Sequence, residues 1–200
     1  KSPPKAFISM SGAGHYGPTD FDTHFTEDHS PGNDFLAELT VEWEKSTREA
    51  AEAGIRTVIF RTPMVLSARG GALTKMLPPF KMGGGGKMAS GRQPMSWVSL
   101  DDLLGIFLFT LYTDNLEGPL NVGVPSVPTN IEFIKVLGRV LKRPTISPLP
   151  GFVIKTLFGE MGEALLIGGQ HLDSSKLLNA GFTFFWDDLE QALRHELGSA

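Results

Sequence analysis

The stretch AFISMSGAGHYGP, residues 6–18, joins an apolar run of strand length to a glycine-rich loop. The run ends at Ser11, and Gly12, Gly14 and Gly17 follow directly. Glycine permits positive φ angles and lets a ligand approach the backbone closely. A buried strand that presents a hydroxyl group to such a loop is typical of the carboxyl edge of an open α/β sheet. The alternative is a core strand followed by an ordinary loop, and the downstream sequence favours the first interpretation.

The composition describes one medium-sized domain, or a domain with a small appendage. Of 200 residues 41% are hydrophobic and 20% are charged, which is enough apolar material for a core. A net charge of −4 without a basic cluster argues against a nucleic-acid partner. The absence of cysteine excludes disulfides and thiolate metal sites. We expect a cytoplasmic protein without a membrane partner, because the longest apolar run, residues 103–112, is too short to span a bilayer.

A strand–helix–strand order follows the glycine-rich loop. Asp34 opens a predicted helix that runs to about Ala53, with apolar residues at three- and four-residue steps. The β-branched and apolar run Ile55–Arg61 predicts a second buried strand. A helix of crossover length between two strands implies parallel pairing. The sequence therefore predicts half of a doubly wound parallel sheet, and Lys1 running almost directly into a buried strand suggests a chain cut from a longer one.

Further elements continue this α/β pattern towards the C-terminus. Asp101 is predicted to cap a helix over 102–112, and Thr129 with Glu132 has the spacing of a capping box for a helix that ends near Leu141. Two more strands are predicted, over 96–100 and 118–124. After Pro144 the composition changes, and short helical segments are predicted over 152–158, 160–167, 173–179 and 187–197. We therefore expect a Rossmann-like portion over 1–144 and a small, mostly helical domain over 145–200.

The stretch 67–95 is predicted to be a lid or substrate loop, because it holds Gly70-Gly71, Pro78-Pro79 and four glycines at 83–86. The glycine run does not follow a strand and does not open a helix, so it lacks the context of a phosphate-binding loop. Lys87 and Arg92 flank the run. They are suited either to an anionic substrate or to an ordinary charged rim, and the sequence leaves both readings open.

Two other polar groups invite a functional reading. His24 and His29 lie among carboxylates, but their spacing matches no metal-ligand pattern, and a solvated acidic loop is the better interpretation. The pair Asp101-Asp102 stands at a helix start, where carboxylates more often cap the helix than transfer protons. We therefore predict no metal site.

Several stretches, taken in order, resemble extended short-chain dehydrogenases/reductases. The chain looks like the C-terminal part of the atypical, NAD-dependent epimerase/dehydratase-like subgroup that ends in a short domain of unknown function. The matching stretches cover essentially the whole chain: SMSGAGHYG (9–17), TED (26–28), FLA (35–37), WE (43–44), RTPMVL (61–66), GGAL (70–73), GRQ (91–93), SWV (96–98), DDL (101–103), GPLNV (118–122), RP (143–144) and GF (181–182).

The resemblance implies a Rossmann-like α/β fold whose N-terminal half, with the phosphate-binding glycine fingerprint, lies outside this sequence. It implies NAD or NADP as cofactor, a small-molecule substrate, and leaves an oligomer open. By the family's pattern Ser11 matches the active-site serine, which hydrogen-bonds a substrate carbonyl or alcohol. The resemblance places six residues beside the cofactor: Ser9, Ser11, Arg61, Thr62, Pro63 and Val65. It places four in the substrate wall: Gly85, Arg92, Gln93 and Trp97.

The chain departs from the family at the catalytic pair. Ordinary members use Tyr-x-x-x-Lys on the helix after the serine, and neither Tyr16 nor Tyr112 is followed by such a lysine. Tyr16 is a candidate catalytic substitute, as are His15 and Glu38, although the Tyr16 ring is also suited to packing. Three hypotheses follow. These are an NAD(P)-dependent oxidoreductase or epimerase on a hydroxyl- or carbonyl-bearing substrate, a non-catalytic dinucleotide-binding regulator or scaffold, and an interaction module.

Overall fold

A computed structural model describes residues 3–18, 20–146 and 168–198. A short 3₁₀ turn, Ala13–Tyr16, follows the first strand. The strands are β1 (Ala6–Gly12), β2 (His24–Phe25), β3 (Arg56–Thr62), β4 (Met64–Leu66), β5 (Trp97–Ser99), β6 (Gly118–Asn121) and β7 (His171–Leu172). The helices are α1 (Phe35–Lys45), α2 (Arg48–Glu52), α3 (Gly71–Lys81), α4 (Leu100–Tyr112), α5 (Asn130–Leu141), α6 (Ser175–Asn179) and α7 (Leu189–Leu197). The helices predicted over 152–158 and 160–167 lie outside the described residues.

The central sheet is parallel, as the strand–helix–strand order predicts. Its strand order is β1–β3–β6, and both neighbouring pairs run in the same direction. The register pairs Ser11 with Arg61 and Arg61 with Asn121. These three side chains therefore form one row at the carboxyl edge of the sheet. The predicted α/β fold class is confirmed.

One face of the sheet packs against α4. Val58, Phe60 and Leu120 alternate with residues of the opposite face and are fully buried, together with Ile106 of α4. Phe182 joins the same cluster from the C-terminal segment. Burial of apolar side chains stabilises this side, at about 1.5–3 kcal/mol for each fully buried large side chain.

The other face carries α1, which begins where the sequence predicts. The Asp34 side chain accepts a hydrogen bond from the Ala37 amide and caps the helix. The prediction of a single helix to about Ala53 is wrong, because this stretch is divided into α1 and α2. The hydroxyl groups of Ser46 and Thr47 donate to the carbonyl groups of Trp43 and Glu44, and these side-chain bonds compete with the helical ladder at the division.

The stretch 67–95 contains an eleven-residue helix, α3, and is not the continuous loop predicted from its glycines and prolines. Leu73, Met76, Leu77 and Phe80 recur at helical spacing and are all buried. The helix contains two prolines. Each proline inside a helix costs about 3 kcal/mol, and the burial of these four side chains offsets that cost. The remainder, from residue 82 to the bridge between Pro94 and Thr129, is irregular.

The cap of α4 also differs from the prediction. Ser99, not Asp101, is the N-cap, and its hydroxyl oxygen accepts from the Asp102 amide. Asp102 is fully buried and accepts hydrogen bonds from the Ser99 hydroxyl and from the backbone amides of Phe185 and Trp186. It thereby joins the start of α4 to the C-terminal segment, a structural role in place of a catalytic one.

The C-terminal elements are close to those predicted. Thr129 and Glu132 form the capping box of α5, and Asp188 caps α7. α6 covers most of the helix predicted over 173–179. β7 was not predicted, and it pairs in parallel with β2, so this segment is bound to the loop that follows β1. Among the described helices none is long and apolar enough to cross a membrane.

Candidate functional site at the carboxyl edge of the sheet

The row Ser11, Arg61 and Asn121 lies where an open parallel sheet binds its ligands. All three side chains are buried, Ser11 with 7% of its surface exposed. They lie on the face that carries α1, since the alternate residues Val58 and Phe60 face α4.

Arg61 is the centre of this row. Its Nε and Nη2 atoms donate to the two carboxylate oxygens of Glu44, each at 3.0 Å. Its Nη1 atom donates to the Tyr16 hydroxyl and to the Glu27 carbonyl, both at 3.0 Å. Burial alone would lower the pKa of Arg61, but Glu44 and Tyr16 together raise it above its ordinary value. The resemblance places Arg61 beside the cofactor, which stays a prediction; in the structure its guanidinium is hydrogen-bonded to internal partners.

Glu44 links helix α1 to the sheet. Its Oε1 atom accepts from the Ser11 hydroxyl at 2.9 Å and lies 3.5 Å from His15 Nδ1. Burial would raise the pKa of Glu44, but the hydrogen bonds and charge of Arg61, with smaller contributions from His15 and Ser11, bring it below the ordinary value. The pKa of His15 is lowered by burial and by Arg61, partly offset by Glu44. The arrangement is an ionised carboxylate beside a neutral imidazole.

The Tyr16 hydroxyl is enclosed among internal hydrogen-bond partners. Its hydroxyl donates to Asn121 Oδ1 at 2.8 Å and accepts from Arg61, and the side chain is 3% exposed. Its ring stacks on Phe25 with centroids 4.7 Å apart. Burial raises the pKa of Tyr16 despite the opposing effect of Arg61. These contacts favour the packing interpretation of Tyr16, and its catalytic role stays a prediction.

A close backbone contact folds the loop that carries Tyr16. Gly17 has φ 68°, and a Cβ atom on Gly32 would lie 2.6 Å from the Gly17 Cα. The Gly32 amide donates to the His15 carbonyl at 2.9 Å. Asn121 holds the far end of the loop, since its Nδ2 atom donates to the carbonyl groups of Phe25 and Asp173. These contacts hold the loop that follows β1 against the carboxyl edge of the sheet. We call Ser11, Tyr16, Glu44, Arg61 and Asn121 the polar cluster.

The remaining residues expected beside the cofactor lie near the same edge. The Ser9 hydroxyl is close to its neighbour's carbonyl, at 3.4 Å from Met10 O. Thr62 Oγ1 donates to the Phe60 carbonyl, and Val65 packs on the α4-side core. Pro63 borders Gly123, where a Cβ atom would lie 3.4 Å from its ring, and as a proline it offers no backbone donor.

The four residues expected in the substrate wall are not equivalent in the structure. Trp97 is fully buried in the core with α3 and α5. Gln93 is fully buried and its Nε2 atom donates to the Met88 carbonyl at 3.0 Å. Gly85 packs on the Phe80 ring, 2.5 Å from where its Cβ atom would stand. The side chain of Arg92 is exposed.

The histidines considered for a metal do not converge with other ligands. His29 Nδ1 accepts from the Thr26 amide, and the His24 ring stacks on His171 with centroids 3.7 Å apart. Among residues 3–18, 20–146 and 168–198, no group of three or more potential ligands is arranged to hold a metal.

Sequence reasoning missed Glu44 and Asn121 as members of the site. Glu44 carries a usable signal: it follows Ala37 and Thr40 at helical spacing on the inward face of α1, where a carboxylate needs a buried partner. Asn121 ends β6 in register with Arg61, and only the strand alignment reveals that contact.

A groove of about 980 Å³ runs along β3 beside α1 and α2. Glu44 and Arg61 line it near the carboxyl edge, and Arg56 and Glu117 line it at the opposite end. The polar cluster is therefore bordered by an open groove on its α1 side.

The fold and this edge define a Rossmann-like protein of the short-chain dehydrogenase/reductase class. The model of a domain of unknown function, DUF1731, matches residues 149–196. The chain is 42% identical over 186 residues to the epimerase family protein Mb2239 of Mycobacterium bovis, covering 93% of this chain and 62% of that protein. It is 37% identical to the mouse epimerase family protein SDR39U1, covering 96% of this chain and 65% of that protein.

A solved relative supports the same assignment. The crystal structure of human epimerase family protein SDR39U1 (isoform 2) with NADPH matches with a TM-score of 0.90 and 33% identity, covering 99% of this chain and 67% of that one. The chain belongs to the epimerase family that includes SDR39U1, an atypical extended group of the short-chain dehydrogenases/reductases. It spans 62–65% of the length of the curated relatives named above.

Proposed function

We propose that the protein is an NAD(P)-dependent oxidoreductase or epimerase that acts on a hydroxyl- or carbonyl-bearing substrate. The observation that carries the proposal is Ser11 at the carboxyl end of β1, in register with Arg61 on a parallel sheet edge. The human relative with the same fold binds NADPH, and its similarity extends over essentially this whole chain. The cofactor supplies or accepts a hydride when bound.

The residues at this edge fit the nicotinamide end of such a cofactor. A Cβ atom on Gly12 would be in ordinary van der Waals contact with Gly14 N, at 3.9 Å, so the backbone after Ser11 is not closely packed there. We propose that Ser9, Ser11, Arg61, Thr62, Pro63 and Val65 border the nicotinamide. The pyrophosphate and adenosine would be held by residues beyond these 200, and the choice between NAD and NADP with them.

For the substrate we propose a small hydroxyl compound or a nucleotide sugar. Arg92 is suited to an anionic group because its guanidinium is exposed on the irregular segment before β5. Gly85, Gln93 and Trp97 would act by shaping this segment, since their side chains or Cα positions pack internally.

We further propose that an additional α/β segment, as the longer relatives have room for, pairs with β1. On the described sheet β1 has β3 on one side only, and its Phe7 and Met10 are 41% and 39% exposed. The α4 residues Leu104, Leu108 and Leu111 are also exposed. An unpaired apolar edge of this kind favours association. Hydrogen exchange tests it: the β1 amides should be uniformly protected in a longer natural chain and only alternately protected in these 200 residues.

The experiment that tests the function uses NADPH carrying deuterium at the nicotinamide C4 atom. The protein is incubated with aldehydes, ketones and nucleotide sugars, and mass spectrometry detects transferred deuterium. We expect transfer to at least one carbonyl compound, reduced about tenfold or more by Ser11→Ala because the alcohol that the transfer forms loses its hydrogen-bond partner. Ser46→Ala, an exposed serine on the far end of α1, is the matched control.

A second candidate is a dinucleotide-binding regulator or scaffold without turnover. It is favoured by the absence of Tyr-x-x-x-Lys and by the full engagement of the Tyr16 hydroxyl. Tight NADPH binding without deuterium transfer to any compound would support this candidate. The absence of both NADPH binding and deuterium transfer would favour the interaction-module hypothesis. A cytoplasmic location is part of either proposal, in keeping with the cysteine-free sequence.

A further inference from the structure

The proton of the Ser11 hydroxyl is already committed. Ser11 Oγ lies 2.9 Å from Glu44 Oε1, and Arg61 donates to both oxygens of that carboxylate. The Arg61 and Glu44 side chains are 5% and 12% exposed. An ionised carboxylate only accepts hydrogen bonds, and the lowered pKa of Glu44 keeps it ionised at neutral pH. In this pair Ser11 is therefore the donor.

The oxygen of Ser11 keeps its accepting capacity. A serine hydroxyl has one donor proton and two lone pairs. Within residues 3–18, 20–146 and 168–198, Ser11 Oγ takes part in the bond to Glu44 and accepts none from a protein group. At its strand neighbour Gly12 a Cβ atom would be in ordinary van der Waals contact with Gly14 N, at 3.9 Å, so the backbone beside Ser11 is not closely packed there. A ligand that reaches Ser11 from this edge meets lone pairs and no available proton.

Resting on the proposed function, we infer that Glu44 fixes Ser11 as a hydrogen-bond acceptor towards the ligand, so that the site selects the hydroxyl form of its substrate over the carbonyl form. An alcohol O–H can donate to Ser11, whereas a ketone oxygen faces it lone pair to lone pair. Glu44 is a positioning residue in this arrangement. The alternative left open by the sequence, a serine that donates to a carbonyl, would require the Ser11 proton to leave Glu44.

The test uses two probes of the same carbon skeleton, 2-propanol and acetone. Each is titrated into the intact, ¹⁵N-labelled protein, and the amide signal of Gly12 is followed by NMR. We expect 2-propanol to reach its midpoint at a concentration about threefold or more below that of acetone, the effect of one net hydrogen bond. Ser11→Ala should abolish this preference, and the matched Ser46→Ala should retain it.

The Glu44→Gln variant distinguishes a role of Glu44 in positioning the Ser11 proton from a purely structural role. The glutamine amide can donate to Ser11, which frees the hydroxyl proton for the ligand, so the preference should reverse towards acetone. Far-ultraviolet circular dichroism checks that this variant folds, and if it does not, the Ser11→Ala comparison decides alone.

Equal or tighter binding of acetone by the unmodified protein would overturn the inference. So would the absence of a saturable Gly12 shift with both probes, because the Ser11 oxygen would then be unreachable from the ligand edge. An NADPH titration on the same sample keeps the two proposals distinct. A preference for 2-propanol without NADPH binding contradicts only the proposed function, and NADPH binding without the preference contradicts only this inference.

Discussion

The two faces of β3 are stabilised by different physics, although they alternate residue by residue. Phe60 faces α4 and is fully buried among Val58, Leu120 and Ile106. Arg61, the next residue, faces α1 and is held by a bidentate ion pair and two further hydrogen bonds. The apolar face depends on area removed from water, which is tolerant of shape. The polar face depends on complete pairing, so the loss of one partner leaves another charge or donor stranded.

The largest expected effect comes from removing the cation of the polar face. Arg61→Met leaves the Glu44 carboxylate buried beside apolar atoms, and we expect the free energy of unfolding to fall by about 3–5 kcal/mol in urea denaturation. The neighbouring change Phe60→Leu on the apolar face is the control and should cost about 1.5 kcal/mol or less. Adding Glu44→Leu to Arg61→Met should recover most of the loss. A single Arg61→Met variant as stable as Phe60→Leu would show that the two faces do not differ.

Asp102 gives a second test of the difference between the two faces, since it is a buried carboxylate on the mostly apolar α4 side. It accepts hydrogen bonds from Phe185 N at 2.7 Å and from Trp186 N at 3.2 Å. Asp102→Ala removes the acceptor of these two amides and of the buried Ser99 hydroxyl, and we expect about 2–3 kcal/mol of lost stability. The fluorescence of Trp186 should change with it. Asp101→Ala is the control for stability: it removes an exposed ion pair with His195 and should cost about 1 kcal/mol or less. Because the His195 ring stacks on Trp186, fluorescence is not compared between the two variants.

Tyr16→Phe removes a single hydroxyl from the polar face and keeps the ring on Phe25. Arg61 and Asn121 each lose one hydrogen-bond partner, and we expect a cost of about 1–2 kcal/mol. Thermal denaturation measures this, with Phe25→Leu as a test of the ring contact itself. Because the Tyr16 hydroxyl is enclosed, hydride transfer should be affected much less by Tyr16→Phe than by Ser11→Ala. Abolished transfer with an unchanged melting temperature would restore a catalytic role for Tyr16.

The smallest expected effect is the pH dependence of the polar face. The pKa of His15 is lowered from 6.5 in the folded protein, and that of Glu44 is lowered from 4.5. The unfolded chain therefore binds protons first as pH falls, so stability is complete above about 6.5 and declines below it, with Glu44 contributing below about 4.5. His171 acts in the same direction, because burial and His24 lower its pKa.

Urea midpoints at pH 7.5 and 5.5 test this prediction. His15→Gln should reduce the difference between the two midpoints, and His15→Gln with His171→Gln should reduce it further. A midpoint that rises as the pH falls to 5.5 would contradict the assignment of a neutral, buried His15.

The sequence predicts the parallel strand order well because it depends on local patterns. The apolar run that ends at Ser11, the cap at Asp34 and the capping box at Thr129 are short-range signals, and the structure retains all three. The helix α3 was missed because local proline signals outweighed the burial of Leu73 and Phe80, which depends on tertiary packing.

The contacts within the polar cluster could not be predicted from the sequence, because they also depend on tertiary structure. Tyr16 and Asn121 are separated by 105 positions, and their hydrogen bond depends on the register of β6 against β3. Composition and spacing indicate that such residues exist, but the hydrogen bonds that join Tyr16, Arg61 and Asn121 are a property of the assembled sheet. The resemblance to a family supplies the location of Ser11 and leaves its donor or acceptor role to be read from Glu44.

The most direct test of a ligand site at the carboxyl edge of the sheet is hydrogen exchange, measured by mass spectrometry in the presence and absence of NADPH. We predict that NADPH slows exchange in peptides that cover residues 9–17 and 61–66, at the carboxyl ends of β1 and β3. Exchange in peptides of α4 should be unchanged. Protection confined to α4 or to the groove beside α2, or no protection at saturating NADPH, would contradict the claim that this sheet edge is the ligand site.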